Sequence, residues 1–257
     1  MGHSSSSNDW WRKPFDQGLY PLDSIARDWK EKTETEIVSL RRILRLARGA
    51  KILDVGCGVG RHSIALEKEG FAVTGADFSR RYLALAKKRS RKVKFVRADM
   101  RVLPFEKEFD GAINLFSSFG YFKSPADDLK TLKSIFRALK PGGRFLIDNL
   151  NYEGFDKVFS PQCWSELGDG TLVLEQRTPP DKSRVLKSAW LFVRKDGKRS
   201  EMYSEIRAYD FSSLSRLFKK AGFTDVRQHA PLTGGKKPWR RLVVSATRPR
   251  NPNGREA

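Results

Sequence analysis

The chain has 257 residues, and 50 Lys and Arg against 30 Asp and Glu leave a formal charge of +20. That length suits one α/β domain with an insertion; no run of about 18 apolar residues is present, which excludes a membrane-spanning helix, and the opening MGHSSSSN has no hydrophobic stretch behind it, so no secretory signal is expected. The two cysteines, Cys57 and Cys163, lie far apart and without metal spacing, so neither a disulfide framework nor a metal site is expected, and a cytoplasmic location is.

Residues 1–9 read as an unstructured leader. Residues 10–34 are rich in aromatics (Trp10, Trp11, Phe15, Tyr20, Trp29) and irregular in pattern. Apolar positions Ile37, Leu40, Ile43, Leu44 and Leu46 then recur at helical spacing over 35–46. The segment 1–48 is read as a tail with a helical lid, the aromatic part being either a lid over a ligand or a helix packed on the core.

The run KILDVGCGVGRHS at 51–63 carries most of the information. A short apolar strand, 51–55, contains Asp54 and opens into Gly56, Gly58 and Gly60 before a helix at 61–69. The glycines let the backbone turn tightly and approach a bound molecule, and the helix N-terminus points at the same place. Cys57 is a small residue filling the loop. The spacing is Gly-x-Gly-x-Gly, not the Gly-x-Gly-x-x-Gly of dinucleotide sites.

A second strand, 72–76, ends at Asp77, about 20 residues on, where a carboxylate can take both hydroxyls of a ribose. A third, 93–98, ends at Asp99, placed to accept from an adenine amine. Acids at the ends of three consecutive strands suit an amine, a ribose diol and an adenine with no phosphate. S-adenosyl-L-methionine fits that inventory.

Helices at 80–90 and 126–139 alternate with strands at 110–116 and 143–149, which is a βαβ series and hence a parallel sheet with helices on both faces. Three strands at 171–177, 185–194 and 201–209 follow as an antiparallel insertion within 152–210, with turns at Pro179-Pro180-Asp181 and Asp196-Gly197. A helix at 211–221 stops at Gly222, and strands at 223–229 and 242–247 close the sheet as a hairpin. Residues 251–257 are expected to fray.

With these motifs in place, together with DFS at Asp77, ADM at Ala98, FDGAINLFSSFGYF from Phe109 and LKPGGRFLID from Leu139, the chain resembles the class I S-adenosylmethionine-dependent methyltransferases over about 35–247. The pairing of GRHS with NLFSSFGYF is similar to a prokaryotic branch described as small-molecule or uncharacterised methyltransferases. The resemblance implies a Rossmann-like, seven-stranded, mostly parallel sheet within 49–257, with the antiparallel insertion after the fifth strand as a substrate cover. It also implies roles. Asp54 with the backbone of Gly56 and Gly58 would hold the methionine end, the Leu115 carbonyl its amine, Asp77 the ribose, and Asp99 with the Met100 amide the adenine, with Phe78 packed on the adenine face.

For the chemistry, a sulfonium donor is already activated, so methyl transfer is an in-line displacement that needs alignment more than acid or base help. No residue declares itself as the base. Tyr20, His62, Tyr121 and Asp148 are the candidates, and Ser117, Ser118, Tyr121 and Phe122 would line an acceptor pocket. His62 reads either as a base or as a satisfied histidine at a helix start. Nucleic-acid amino-methyltransferases of this fold carry Asn or Asp followed by Pro-Pro and an aromatic where this chain has Asn114-Leu115-Phe116-Ser117.

The leading expectation is transfer to a nitrogen or oxygen of a small-molecule acceptor. The alternative is an RNA substrate, motivated by basic clusters at 80–101 and 236–255, which equally suit a solvated surface. An open basic face at the methyl would favour RNA; an enclosing wall would favour the small molecule. A non-catalytic cofactor-binding scaffold is the third reading.

Overall fold

The computed structural model describes residues 10–22, 25–26, 29–154, 159–179, 182–233 and 241–250. The leading serines, the Pro180-Asp181 half of one expected turn, residues 251–257 and part of the 236–255 basic cluster lie outside them.

Strand β1 (Lys51–Val55) is central because its side chains are apolar on both faces. Leu53 and Val55 enter one core cluster and Ile52 enters the other. It pairs in parallel with β2 (Ala72–Asp77) on one side and β4 (Phe109–Asn114) on the other; β3 (Lys94–Arg97) extends the first edge and β5 (Leu139–Leu150) the second. The antiparallel strands completing the sheet are numbered after the insertion, β10 (Thr224–His229) and β11 (Arg241–Thr247), and β11 lies against β5. The order is β10-β11-β5-β4-β1-β2-β3. It reverses between β1 and β4, so loops at their carboxyl ends diverge and leave a crevice there.

Among the described residues, five helices cover the two faces. On one lie α2 (Lys30–Leu44), α3 (Arg61–Lys68) and α4 (Arg80–Arg89), contributing Leu40, Leu66 and Leu83; on the other lie α5 (Pro125–Ala138) and α6 (Phe211–Lys220), contributing Leu132, Ile135, Leu214 and Phe218. Their starts are written in the chain. Ser79 and Ser124 accept from the first turn of α4 and α5, and Asp210 closes a reciprocal capping box with Ser213 on α6.

The insertion is a four-stranded antiparallel meander, β6 (Gln162–Glu166), β7 (Leu172–Thr178), β8 (Val185–Val193) and β9 (Arg199–Arg207). Three strands were expected, and β6 is the addition: a five-residue edge strand whose residues are all at least partly exposed, so it has no buried alternation to announce it. The N-terminal aromatic segment, expected to be irregular, contains the short helix α1 (Arg12–Gln17), and α2 begins at Lys30, five residues ahead of its expected start. Strand β4 stops at Asn114, short of the expected 116, because Phe116 and Ser117 are both left-handed at φ 58°.

Candidate active site

Asp77 holds the glycine loop in shape. Its Oδ2 accepts the Gly58 amide at 2.8 Å and its Oδ1 the Ser79 amide at 2.8 Å. Burial pushes the Asp77 carboxyl up to about 6, against the pull of those two amides and with a contribution from the nearby Asp54 charge. The group therefore gains from any hydroxyl that donates to its ionised form.

Asp54 is buried and accepts Ser63 Oγ at 2.6 Å, and burial likewise raises its carboxyl. Asp99 is clasped by Arg101, with Nη2 2.6 Å from Oδ2 and Nε 3.0 Å from Oδ1, and these bonds hold it below its ordinary value against partial burial. The Phe78 ring next to it has Trp11 edge-on at 4.9 Å and the guanidinium carbons of Arg12 and Arg97 each 4.9 Å from its centroid.

The N-terminal segment lies across this edge. Ser79 Oγ donates to the Phe15 carbonyl at 2.7 Å, the Arg80 amide donates to Asp16 at 3.1 Å, and Tyr82 donates to the Tyr20 carbonyl at 2.8 Å. Trp10 meets Tyr121 edge-on, and Phe15 stacks on Tyr121 with centroids 5.6 Å apart. The indole Nε1 atoms of Trp10 and Trp11 are buried with no hydrogen-bond partner, and both residues line the cavity described next.

That cavity, about 1030 Å³, runs from the carboxyl ends of the parallel strands to the inner face of the four-stranded sheet. Alternation along β7 turns Val173, Glu175 and Arg177 inward, opposite Trp190 on β8 and near Met202 and Ser204 on β9. Glu175 is buried and ion-paired to Arg177, and Cys163 Sγ lies 3.5 Å from it. Trp190 donates to Ser204 at 3.1 Å and meets Tyr20 edge-on at 5.7 Å. At the other wall stand Lys32, its ammonium 3.5 Å above the Trp29 ring, and Arg241, which donates to Asp148 and Ser117 at 2.8 Å each.

The residues expected from sequence separate into three groups. Gly56, Gly58, Asp77, Phe78, Asp99, Met100, Ser117, Ser118, Tyr20, Tyr121 and Phe122 all line the cavity. Asp54, Cys57, His62 and Leu115 line an adjoining recess of about 60 Å³ that shares Leu22, Trp29, Gly56, Gly58, Phe116 and Ser118 with it. Gly60 and Asp148 line neither. A Cβ on Gly60 would fall 2.8 Å from Phe95, so this glycine serves helix-to-sheet packing. Asp148 is engaged by Arg241, which itself faces the cavity.

Among the candidate bases, His62 Nε2 donates to the buried Glu36 at 2.9 Å, which makes it a satisfied histidine at a helix start. Burial raises both the Tyr20 and Tyr121 phenols, so neither is primed to ionise. Burial also pushes the Cys57 thiol up, away from reactivity. Lys32, Arg101, Glu175, Arg177 and Arg241 were not anticipated. The alternation in VLEQR was the signal for the β7 pair; the others come together only through the fold.

The groups present fit an adenosyl sulfonium donor. A raised, half-buried carboxylate at Asp77 suits hydroxyl donors, a second carboxylate and a phenyl ring stand at the next strand end, and the backbone at Gly58 is bare: a Cβ there would fall 2.5 Å from Leu22. The parallel sheet with its antiparallel hairpin, together with this edge, defines a methyltransferase.

Comparison with known proteins agrees. The methyltransferase domain family matches residues 52–143. YqeM of Bacillus subtilis (strain 168), a protein named as a methyltransferase, is 30% identical over 196 residues, covering 73% of this chain and 79% of that one. The demethylmenaquinone methyltransferase of Clavibacter sepedonicus is 30% identical over 225 residues, 86% of this chain and 81% of its own. Among solved structures, an S-adenosylmethionine-dependent methyltransferase from Clostridium acetobutylicum ATCC 824 superposes with a TM-score of 0.75 at 20% identity, covering 91% of this chain and 99% of that one. The amino pentose methyltransferase CalS10 of Micromonospora echinaspora, solved with S-adenosylmethionine bound, gives 0.67 at 23% identity over 90% and 96%. The chain belongs to the S-adenosylmethionine-dependent methyltransferases, and S-adenosylmethionine is its cofactor.

Proposed function

We propose that this methyltransferase acts on a nitrogen or oxygen of a small molecule held between the strand ends and the inner face of the four-stranded sheet. The observation that carries this reading is the single cavity of about 1030 Å³ joining the two. A space of that size, walled by aromatics and by an inserted sheet, suits a compact acceptor. An RNA substrate would call for an open basic face there. The names of related proteins point the same way: glycine and sarcosine, demethylmenaquinone and an amino pentose are their acceptors.

In this reading Asp77 takes the ribose hydroxyls, Asp99 and the Met100 amide the adenine edge, Phe78 its face, and Asp54 with Leu115 the methionine end. The bound donor supplies an electrophilic methyl whose transfer needs only an aligned lone pair. Residues 10–19 cover the adenosine side, and β6 to β9 form the acceptor wall and exclude water. An acceptor amine reaching this apolar space sheds part of its solvation, which favours its neutral, nucleophilic form.

The test is transfer of a labelled methyl group from S-adenosylmethionine to a panel of small amines, phenols and carboxylates and to total RNA. Labelling of a small molecule is the expected outcome. Labelling of RNA alone would overturn the reading.

A further inference from the structure

One wall of the cavity carries a lysine ammonium. Lys32 is half-buried on the first turn of α2, with its ammonium 3.5 Å from the Trp29 centroid and 5.9 Å from that of Phe116. Among the described residues no carboxylate pairs with it. The two whose charge reaches it are committed elsewhere: Glu36 to Arg61 and His62, and Asp148 to Arg241.

Arg241 is a second cation lining the cavity, ion-paired to Asp148 on one side. Of its five N–H bonds, Nε donates to Asp148 Oδ1, one on Nη1 to Ser117 Oγ at 2.8 Å and one on Nη2 to the Asp148 carbonyl at 2.9 Å. One hydrogen on each terminal nitrogen remains. Asp148 and Ser117 fix the guanidinium plane, so the spare pair is preorganised.

We infer that Lys32 and Arg241 form an anion subsite that takes a carboxylate carried by an otherwise apolar acceptor. The rings of Trp29 and Phe116 beside the lysine, with Val173 and Trp190 on the facing sheet, supply the apolar part. Both cations line the large cavity and neither lines the recess with Asp54 and Leu115, so the anion belongs to the acceptor and not to the donor's methionine end. Burial disfavours the charged form of Lys32, and an incoming carboxylate restores what burial removes. A planar carboxylate meets the Arg241 fork and the lysine point charge together.

This subsite rests on the methyltransferase reading, and the experiment separates the two. The full chain loaded with S-adenosylhomocysteine is titrated calorimetrically with matched pairs, phenylacetate against phenylacetamide and 3-phenylpropionate against its amide. The wild type is expected to bind each acid at least tenfold more tightly than its amide. Lys32→Gln abolishes that preference and Lys32→Arg keeps it, while affinity for S-adenosylhomocysteine is unchanged in both. Equal binding of acid and amide, or binding of neither, overturns the subsite. So does a Lys32→Gln variant that loses S-adenosylhomocysteine yet binds 5′-methylthioadenosine normally, which would give the lysine to the donor's carboxylate. Failure of the wild type to bind S-adenosylhomocysteine at all strikes at the broader reading instead.

Discussion

Glu36 on α2 and His62 behind the glycine loop are joined at 2.9 Å, and Arg61 reaches the same Glu36 oxygen at 2.5 Å. The helix preceding the sheet is thus bonded to the first turn after the cofactor loop. Burial alone would raise Glu36, but the His62 and Arg61 bonds and charges outweigh it and bring the carboxyl from the usual 4.5 to about 2. Its stabilisation is complete above pH 4.5 and is lost as pH falls toward 2, about 3 kcal/mol in all. Urea midpoints taken between pH 5 and pH 3 should fall less steeply for Glu36→Gln than for the wild type. Parallel acid limbs would show that the contact does not contribute.

Asp77 runs the other way. Its carboxyl is raised to about 6, so the ligand-free protein loses stability as pH climbs from about 4 to 6. A ribose diol donates to the ionised form, so affinity for S-adenosylmethionine should increase between pH 5.5 and 7.5. Asp77→Asn should flatten that dependence and weaken binding at least tenfold, since hydrogen bonds to a charged group contribute about 1.5–3 kcal/mol. Calorimetry at the two pH values checks it, and a wild-type affinity independent of pH would falsify it.

Gly60 separates folding from binding. It is left-handed at φ 79°, and a Cβ would stand 2.8 Å from Phe95 and 3.2 Å from Ala86. Gly60→Ala should cost about 2 kcal/mol or more from backbone strain and overpacking. Because the position lines no part of the cavity, donor affinity in the folded variant should stay within twofold of the wild type. Denaturation and titration of the same sample give both numbers.

Asp128 on α5 is fully buried and takes hydrogen bonds from Arg207 at 2.9 Å and Tyr209 at 2.6 Å, while burial pushes it up to about 6. Arg207 ends β9, so the pair ties the inserted sheet to α5 on the face of the main one. Arg207→Leu strands a buried carboxylate and should destabilise by about 3–5 kcal/mol. The double variant with Asp128→Asn should recover part of that loss, and a chemical-denaturation cycle reads the difference. No recovery would mean that Arg207 acts through its bonds to the Phe122 and Lys123 carbonyls.

Parallel strands buried on both faces announce themselves. Residues 51–55 and the acids at 77 and 99 were legible because apolar runs ending in an acid and a turn have few other readings. The first turns of α2 were not, since KEKTE has no apolar period, and α1 is too short and carries Pro14 in its middle. In the site, His62 stayed open between a base and a satisfied histidine because its partner lies 26 residues upstream. Lys32 and Arg241 were silent for a similar reason: no local pattern links a helix before the sheet to the last strand within it.

The Arg207 amide donates to the Gly120 carbonyl at 2.8 Å, and a side chain on Gly120 would strike the Arg207 carbonyl at 2.4 Å. Main chain therefore touches main chain where the two sheets meet, and the gap between them is gauged by peptide groups that no substitution alters. Val173, Ser188, Met202 and Ser204 can change in bulk or polarity while the wall that holds them keeps its distance. The chamber works as a mould with a fixed frame and exchangeable facing, so a new acceptor needs new inward residues and no new architecture.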